Sequence, residues 1–265
     1  MRLGERSFVN IYYLEECKNL ILQSTNQPFL SVRSVSNVYI TRPLGIIGKK
    51  EKKPVLNNVS FEIERGEIFG LVGESGCGKT TLAKCILGLI DYEGEIYING
   101  SKREAKPSLA ERRRSAFEVQ AVFQNLSSSL NPVKTIGWIL EEPLRAYRLG
   151  SAIERQKRMD EILGLVGLDS SYKKRRPSEL SSGQKQRVSI GFALALKPGL
   201  IVADEPVSAL DVSVAAQILN LFRDLNKRLG LALLFISHNL EMVDYLCDRV
   251  AVMRNGGITD VYSPG

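Results

Sequence analysis

Long apolar runs are missing from this 265-residue chain: none approaches the roughly 18 uncharged residues that a membrane-crossing helix needs. The basic-then-apolar order of a secretion signal is missing too, so the chain is expected to be cytosolic. Cysteine is scarce. Cys17, Cys77, Cys85 and Cys247 stand at spacings that match no metal site, and in a cytosolic chain they are expected as reduced, unpaired thiols. Histidine is scarcer still, with His238 alone, and a lone histidine is ordinarily a satisfied surface or core residue. No internal repeat or low-complexity tract is present, which excludes repeat arrays and long polar linkers.

Acidic residues are outnumbered, leaving a net charge of +7 that raises the question of nucleic acid or a membrane surface. Much of it lies in two clusters, Lys102, Arg103, Lys106, Arg112, Arg113 and Arg114, then Lys173, Lys174, Arg175 and Arg176. Neither is interleaved with the aromatics that a single-strand binder uses for stacking. Solvated faces are the plain reading; contact with lipid headgroups or a partner is the other, and no nucleic-acid partner is expected.

What is present is a core-forming composition, 44% hydrophobic and 25% charged, at a length suited to one large domain or two small ones. Residues 73–80 read Gly73, Glu74, Ser75, Gly76, Cys77, Gly78, Lys79 and Thr80, which fits the phosphate-loop pattern G-x-x-x-x-G-K-[ST]. An apolar run of strand type precedes it at 67–72 and helical character follows at 81–89, the context such a loop requires. Its glycines let backbone N–H groups approach an anion, and the helix N-terminus adds its dipole. Lys79 is expected at the outer phosphates of a nucleotide and the Thr80 hydroxyl on Mg2+.

Along the rest of the chain, residues 1–27 read either as a short amphipathic helix or as a poorly ordered extension. Strands are expected at 29–35, with 38–40 as a candidate continuation, and at 55–64, with an exposed loop at 43–54 and a further strand near 93–100. These form a small antiparallel region beside a nucleotide-binding core. From 108 to about 171 the pattern is mainly helical around an embedded strand at 119–123, with helices at 136–149 and 153–166. A helix at 182–196, a buried strand at 200–203, a helix at 212–229, a strand at 231–236 and a last strand at 250–253 complete the chain. The fold class is α/β, with an inserted helical subdomain.

Asp204 and Glu205 stand at the C-terminal end of the 200–203 strand, where open α/β sheets bind ligands. With a phosphate loop, an acid there is the Mg2+ arrangement of phosphate-loop nucleotidases, so Asp204 is the metal candidate. Glu205, turned the other way, suits a base or orienting group for an attacking water. His238 falls at the end of the 231–236 strand on the same sheet edge, which makes it a catalytic candidate. Gln124, a polar residue after the 119–123 strand, is a candidate for touching Mg2+ or water.

Leu180, Ser181, Ser182, Gly183 and Gln184 open a helix and closely resemble the Leu-Ser-Gly-Gly-Gln signature of ATP-binding cassette (ABC) ATPases, with Ser182 in place of one glycine. The resemblance covers roughly residues 29–258, with the motifs in the family's order. It implies a phosphate-loop (RecA-like) core with an antiparallel β subdomain, residues 28–265 as one ATPase domain, and a helical subdomain at about 125–182. It implies that Tyr39 stacks on adenine, that Thr81 joins the loop in binding ATP, and that Gln124 belongs to a switch loop. Ser208, Ala209, Leu210 and Asp211 match the family's dimer-contacting loop, and His238 its switch histidine. Two such domains, identical or sister subunits, would sandwich two ATP molecules, each signature acting on the partner's nucleotide.

The phosphate-loop interior, Val122-Phe123-Gln124 with a later Ser-Leu-Asn-Pro132, and residues 204–211 resemble more narrowly the ATPase subunits of bacterial peptide and nickel importers. Asn125 and Asn239 stand where the family commonly has aspartate, and the subgroup's proline- and cysteine-bearing tail is not in the sequence. The resemblance implies two membrane-spanning permease subunits, an extracytoplasmic solute-binding protein, and a place on the cytoplasmic face of the membrane. Two other readings stand beside it: a soluble cassette ATPase acting on nucleic acid or ribosomes, and a cassette that binds ATP without hydrolysing it. Lys79, Glu205 and His238 argue against the last.

Overall fold

A computed structural model describes residues 27–41, 51–123 and 130–265. Two sheets organise them. The first is antiparallel, in the order β2-β1-β4-β5, from β1 (Leu30–Thr41), β2 (Glu51–Ile63), β4 (Glu93–Ile98) and β5 (Ser101–Lys102). The second has the order β10-β9-β3-β8-β7-β6. It comprises β3 (Ile68–Val72), β6 (Val119–Phe123), β7 (Leu200–Asp204), β8 (Ala232–Ser237), β9 (Arg249–Arg254) and β10 (Gly257–Tyr262). All its pairings are parallel except β10 with β9. The helices are α1 (Lys79–Ile86), α2 (Leu109–Ser115), α3 (Ile136–Ala146), α4 (Ala152–Leu165), α5 (Ser182–Leu194), α6 (Val212–Leu229) and α7 (Leu240–Leu246), with 3-10 turns at Ser170–Lys174 and Pro177–Glu179.

The central strands are apolar throughout because both faces of the sheet are covered. Successive side chains point to opposite faces, so β7 sends Leu200 and Val202 into one core and Ile201 and Ala203 into the other. β8 divides in the same way, Leu234 and Ile236 against Leu233 and Phe235. The first core lies against α1 and the antiparallel sheet; the second lies against α3, α4, α5, α6 and α7.

Helix boundaries follow capping chemistry. Ser151 with Glu154, and Ser181 with Gln184, form reciprocal capping boxes at α4 and α5. The Asp211 carboxylate accepts from Val214 N at the start of α6, and Gly230, in the left-handed region at φ 64°, ends that helix.

The structure corrects the sequence reading at several places. Residues 51–54 belong to β2 rather than to an exposed loop. The strand at 249–254 is not the last: Asn255 and Gly256, both at positive φ, turn the chain back into β10. Helix α7, short and capped by Asn239, was not expected. Helix α5 packs on α3 and α4 as well as on β6. Residues 1–26, and with them the question of an amphipathic N-terminal helix, lie outside the described residues. Among the described residues no helix is long and apolar enough to cross a membrane. Cys77, Cys85 and Cys247 are free thiols, as expected, while Cys17 lies outside the described residues.

Candidate active site

Parallel pairing of β3 with β8, β8 with β7 and β7 with β6 brings Val72, Ser237, Asp204 and Phe123 to one edge of the sheet. The phosphate loop leaves β3 at that edge and enters α1. Two of its glycines are required by close approach. A Cβ on Gly73 would lie 2.2 Å from the Met253 carbonyl oxygen, and Gly78, at φ 114°, would place one 2.9 Å from the Val55 carbonyl oxygen. The loop is thus wedged between β9 and β2, and its shape is set by neighbours distant in sequence.

Lys79 is buried, and its ammonium donates to the carbonyl oxygens of Gly73 (2.7 Å) and Glu74 (2.9 Å), with Cys77 Sγ at 3.8 Å. The cation therefore folds back over the loop, ready to exchange carbonyl partners for a stronger anion.

Asp204, 5% exposed, lies across from it. Among the described residues its Oδ1 has no hydrogen-bond partner, an uncommon state for a buried carboxylate oxygen. Burial pushes its pKa above the ordinary carboxylate value, opposed by a hydrogen bond from the Thr80 side chain. A carboxylate oxygen without a donor beside a threonine hydroxyl is a hard-oxygen donor set of the kind Mg2+ takes, so the residues present fit that ion.

Glu205 has φ 51°, in the left-handed region, and its N–H donates to the Ile236 carbonyl. This turn directs its side chain away from Asp204 and toward β8. Glu205 Oε1 lies 2.7 Å from His238 Nδ1, which puts the ring proton on that nitrogen, facing the carboxylate. The Glu205 side chain is 18% exposed and His238 63%, so the pair sits at the lip of the cleft.

The cleft has a volume of about 490 Å³ and is lined by Val55, Ser75, Gly76, Gly78, Lys79, Thr80, Thr81, Asp204, Glu205 and His238. Ten residues from four parts of the chain therefore meet around one polar space. Val55 was not foreseen: a lone valine at the start of an alternating strand has no signal in sequence that marks it as a lining residue. Tyr39 is not among the lining residues. It is 42% exposed on β1, opposite Lys53. Gln124 lies outside the described residues.

The remaining predicted residues are placed elsewhere. Ser181 and Ser182 are exposed at the N-terminus of α5, Gly183 is buried beneath them, and Gln184 is half-buried. Ser208, Ala209 and Asp211 are exposed between β7 and α6, and Leu210 is half-buried. Gly183 packs against the first turn of α6, the helix that Asp211 caps: a Cβ on Gly183 would lie 2.5 Å from Val214 Cγ1. None of these residues lines the cleft of its own chain.

A phosphate loop, an acidic strand end and an edge carboxylate–histidine pair on a parallel sheet define a phosphate-loop nucleotide-binding protein. The chain belongs to the ABC transporter family, whose profile matches residues 56–208, and within it the chain is an ATPase. Its relatives narrow this. It is 47% identical over 240 residues to a Brucella ovis protein with the provisional name peptide import ATP-binding protein, covering 90% of this chain and 73% of that one. It is 43% identical to the dipeptide transport ATP-binding protein DppF of Haemophilus influenzae, covering 87% and 70%. A solved ATP-binding cassette, dimeric and in a post-hydrolysis state bound to ADP and Pi, superposes with a TM-score of 0.77 at 29% identity, covering 89% of this chain and 99% of that one.

Proposed function

We propose that this chain is the ATP-hydrolysing subunit of a bacterial importer, and that its cargo is a peptide. The relatives' names support peptides over the nickel or other metal complexes that the subgroup resemblance also allows. The observation that carries the enzymatic reading is the Oδ1 of Asp204, which has no partner among the described residues and is buried in the same cleft as Lys79 and the Glu205–His238 pair.

In this reading the loop N–H groups and Lys79 bind the phosphates, Lys79 exchanging the Gly73 and Glu74 carbonyls for phosphate oxygens. Thr80 and Asp204 would hold Mg2+, with Gln124 as a further candidate for the ion or a water. Once bound, the ion neutralises phosphate charge. Glu205 orients the attacking water and receives its proton, and the Nδ1–H of His238 fixes the carboxylate that does so. Tyr39 stacks on adenine.

Ser181, Ser182, Gly183 and Gln184 face away from the chain's own cleft, and this supports a composite site in which they act on a second subunit's nucleotide. Ser208, Ala209, Leu210 and Asp211, just before the helix on which Gly183 packs, would line the contact. A dimer, of this chain or of this chain with a sister subunit, closes on ATP and reopens after hydrolysis, a two-state switch biased by the nucleotide. The motion passes to two membrane-spanning permease subunits through the helical subdomain of about 125–182 and the segment 124–132, which holds the chain at the cytoplasmic face of the membrane. An extracytoplasmic solute-binding protein delivers the cargo.

No observation favours the nucleic-acid reading. Within the basic clusters Lys102 pairs with Glu95, Lys173 with Asp160 at 2.7 Å, and Arg175 stacks on Tyr172. The test is reconstitution with the permease subunits and binding protein, measuring ATP hydrolysis as candidate solutes are added. Stimulation by peptides is expected; stimulation by metal complexes alone, or by neither, would overturn the assignment.

A further inference from the structure

We infer that Tyr172 is a positioning residue for the signature: its phenol fixes the Gln184 amide, and through it the first turn of α5. The inference rests on the composite-site reading above. Gln184 closes the capping box from both sides, its N–H donating to Ser181 Oγ (3.3 Å) and its Oε1 accepting from Ser181 N (3.0 Å). An amide side chain can rotate, and only its second end determines which atom faces Ser181. That end is Nε2, which donates to Tyr172 Oη at 3.0 Å.

Tyr172 is itself held. Its ring packs partly buried against the helical core, with the Arg175 guanidinium 4.0 Å above it. The 3-10 turn that carries it is fastened on two further sides. The Arg175 carbonyl accepts from Ile136 N (2.8 Å) at the start of α3, and the Lys173 ammonium meets Asp160 of α4 at 2.7 Å. The turn lies so close to α3 that a Cβ on Gly137 would be 3.1 Å from the Lys173 carbonyl oxygen.

The basic run at 173–176 is therefore a bracket. It joins the start of α3, in the part of the molecule assigned above to the permease contact, to the residues that face the partner's nucleotide. Any displacement of the α3 start is transmitted through a rigid turn and one phenol to the cap of α5. Removal of that hydroxyl alone leaves the fold in place and frees the cap.

The test is Tyr172→Phe in the full chain assembled with its partners, since phenylalanine keeps the ring and its contact with Arg175. Expected are an unchanged melting temperature, ATP affinity at the chain's own phosphate loop within about twofold, and kcat lower by about three- to tenfold, the weight of one hydrogen bond. Amide hydrogen exchange at Ser181 and Gln184 should accelerate by a similar factor. Unchanged kcat with unchanged exchange would overturn the inference, and so would ATP affinity and melting temperature falling together, which marks a merely structural role. If a Glu205→Gln chain with ATP and its partners forms no closed dimer, the composite-site reading fails, whereas the exchange measurement still reads the Tyr172–Gln184 lock directly.

Discussion

Gly183→Ala separates the positioning of the signature from stability and from nucleotide binding. The added methyl would lie 2.5 Å from Val214 Cγ1, against about 3.5–4.0 Å for an unstrained carbon contact. A β-branched side chain inside a helix resists turning away, so the N-termini of α5 and α6 are expected to part by about 1 Å. Overpacking of this kind costs about 1–3 kcal/mol, and the helix preference of alanine over glycine returns about 1 kcal/mol. The net effect on unfolding is therefore small, about 0–2 kcal/mol by that difference. A catalytic group moved by 1 Å can lose about 100-fold in rate, so kcat should fall by about that factor. The chain's own ATP affinity should stay within about twofold, because Gly183 is outside the cleft. Val214→Ala removes the opposing methyls and keeps the Val214 N–H that caps against Asp211 (2.9 Å). The double variant should recover at least about tenfold in kcat, since coupled neighbours are non-additive. Steady-state ATPase rates of the assembled protein, nucleotide-analogue titration and urea unfolding read the three quantities. Full activity in Gly183→Ala, or a double variant no better than the single one, would refute the reasoning.

Glu205→Gln should keep ATP binding and the contact with His238, since an amide can also bond Nδ1, while kcat falls by about 100- to 10,000-fold as the base is lost; stopped-assay phosphate release checks it, and a rate within about tenfold of the parent would remove Glu205 from its role. Arg249→Ala leaves the Glu67 carboxylate, 8% exposed, without the Arg249 Nε (2.6 Å) and Nη2 (3.0 Å) donors. Because Arg249 is 39% exposed, the loss should be about 2 kcal/mol rather than the value for a fully buried pair. Urea unfolding measures it, and adding Glu67→Gln should restore part. Burial pushes the Cys85 thiol from 9.0 up to about 12. Above 9.0 the unfolded chain sheds this proton first while the folded chain keeps it, so stability falls as pH rises from 9.0 toward about 12, by about 1.4 kcal/mol per pH unit. Cys85→Ala should flatten that dependence in urea melts taken on either side of this range.

The site was legible to the extent that its chemistry is local. Gly73 to Thr80 are contiguous, and the conformations they need are written in the glycines themselves. Asp204, Glu205 and His238 were legible because apolar strands of the right length end just before them, and ends of parallel strands share an edge. Val55 was not legible, since it reaches the cleft only through the packing of β2 against the loop. Tyr172 was hidden for a similar reason: it sits in a short 3-10 turn beside a basic run, where composition indicates solvent. Residues 249–262 were half legible, the positive-φ pair Asn255 and Gly256 being the signal for a hairpin that the strand at 250–253 alone does not reveal.

From its sequence alone this protein is a nucleotide-binding α/β domain with a phosphate loop, an acidic strand end and a helix-opening signature, because each of these depends on residues adjacent along the chain. The tertiary structure decided what no neighbouring residues can decide. It set the distance between Glu205 and His238, buried Asp204 Oδ1 with no donor among the described residues, and seated Gly183 on Val214. It also folded the basic run at 173–176 against α3 and α4. These are contacts between segments far apart in sequence, and only the packing of the two sheets and the helical group brings them within reach of one another.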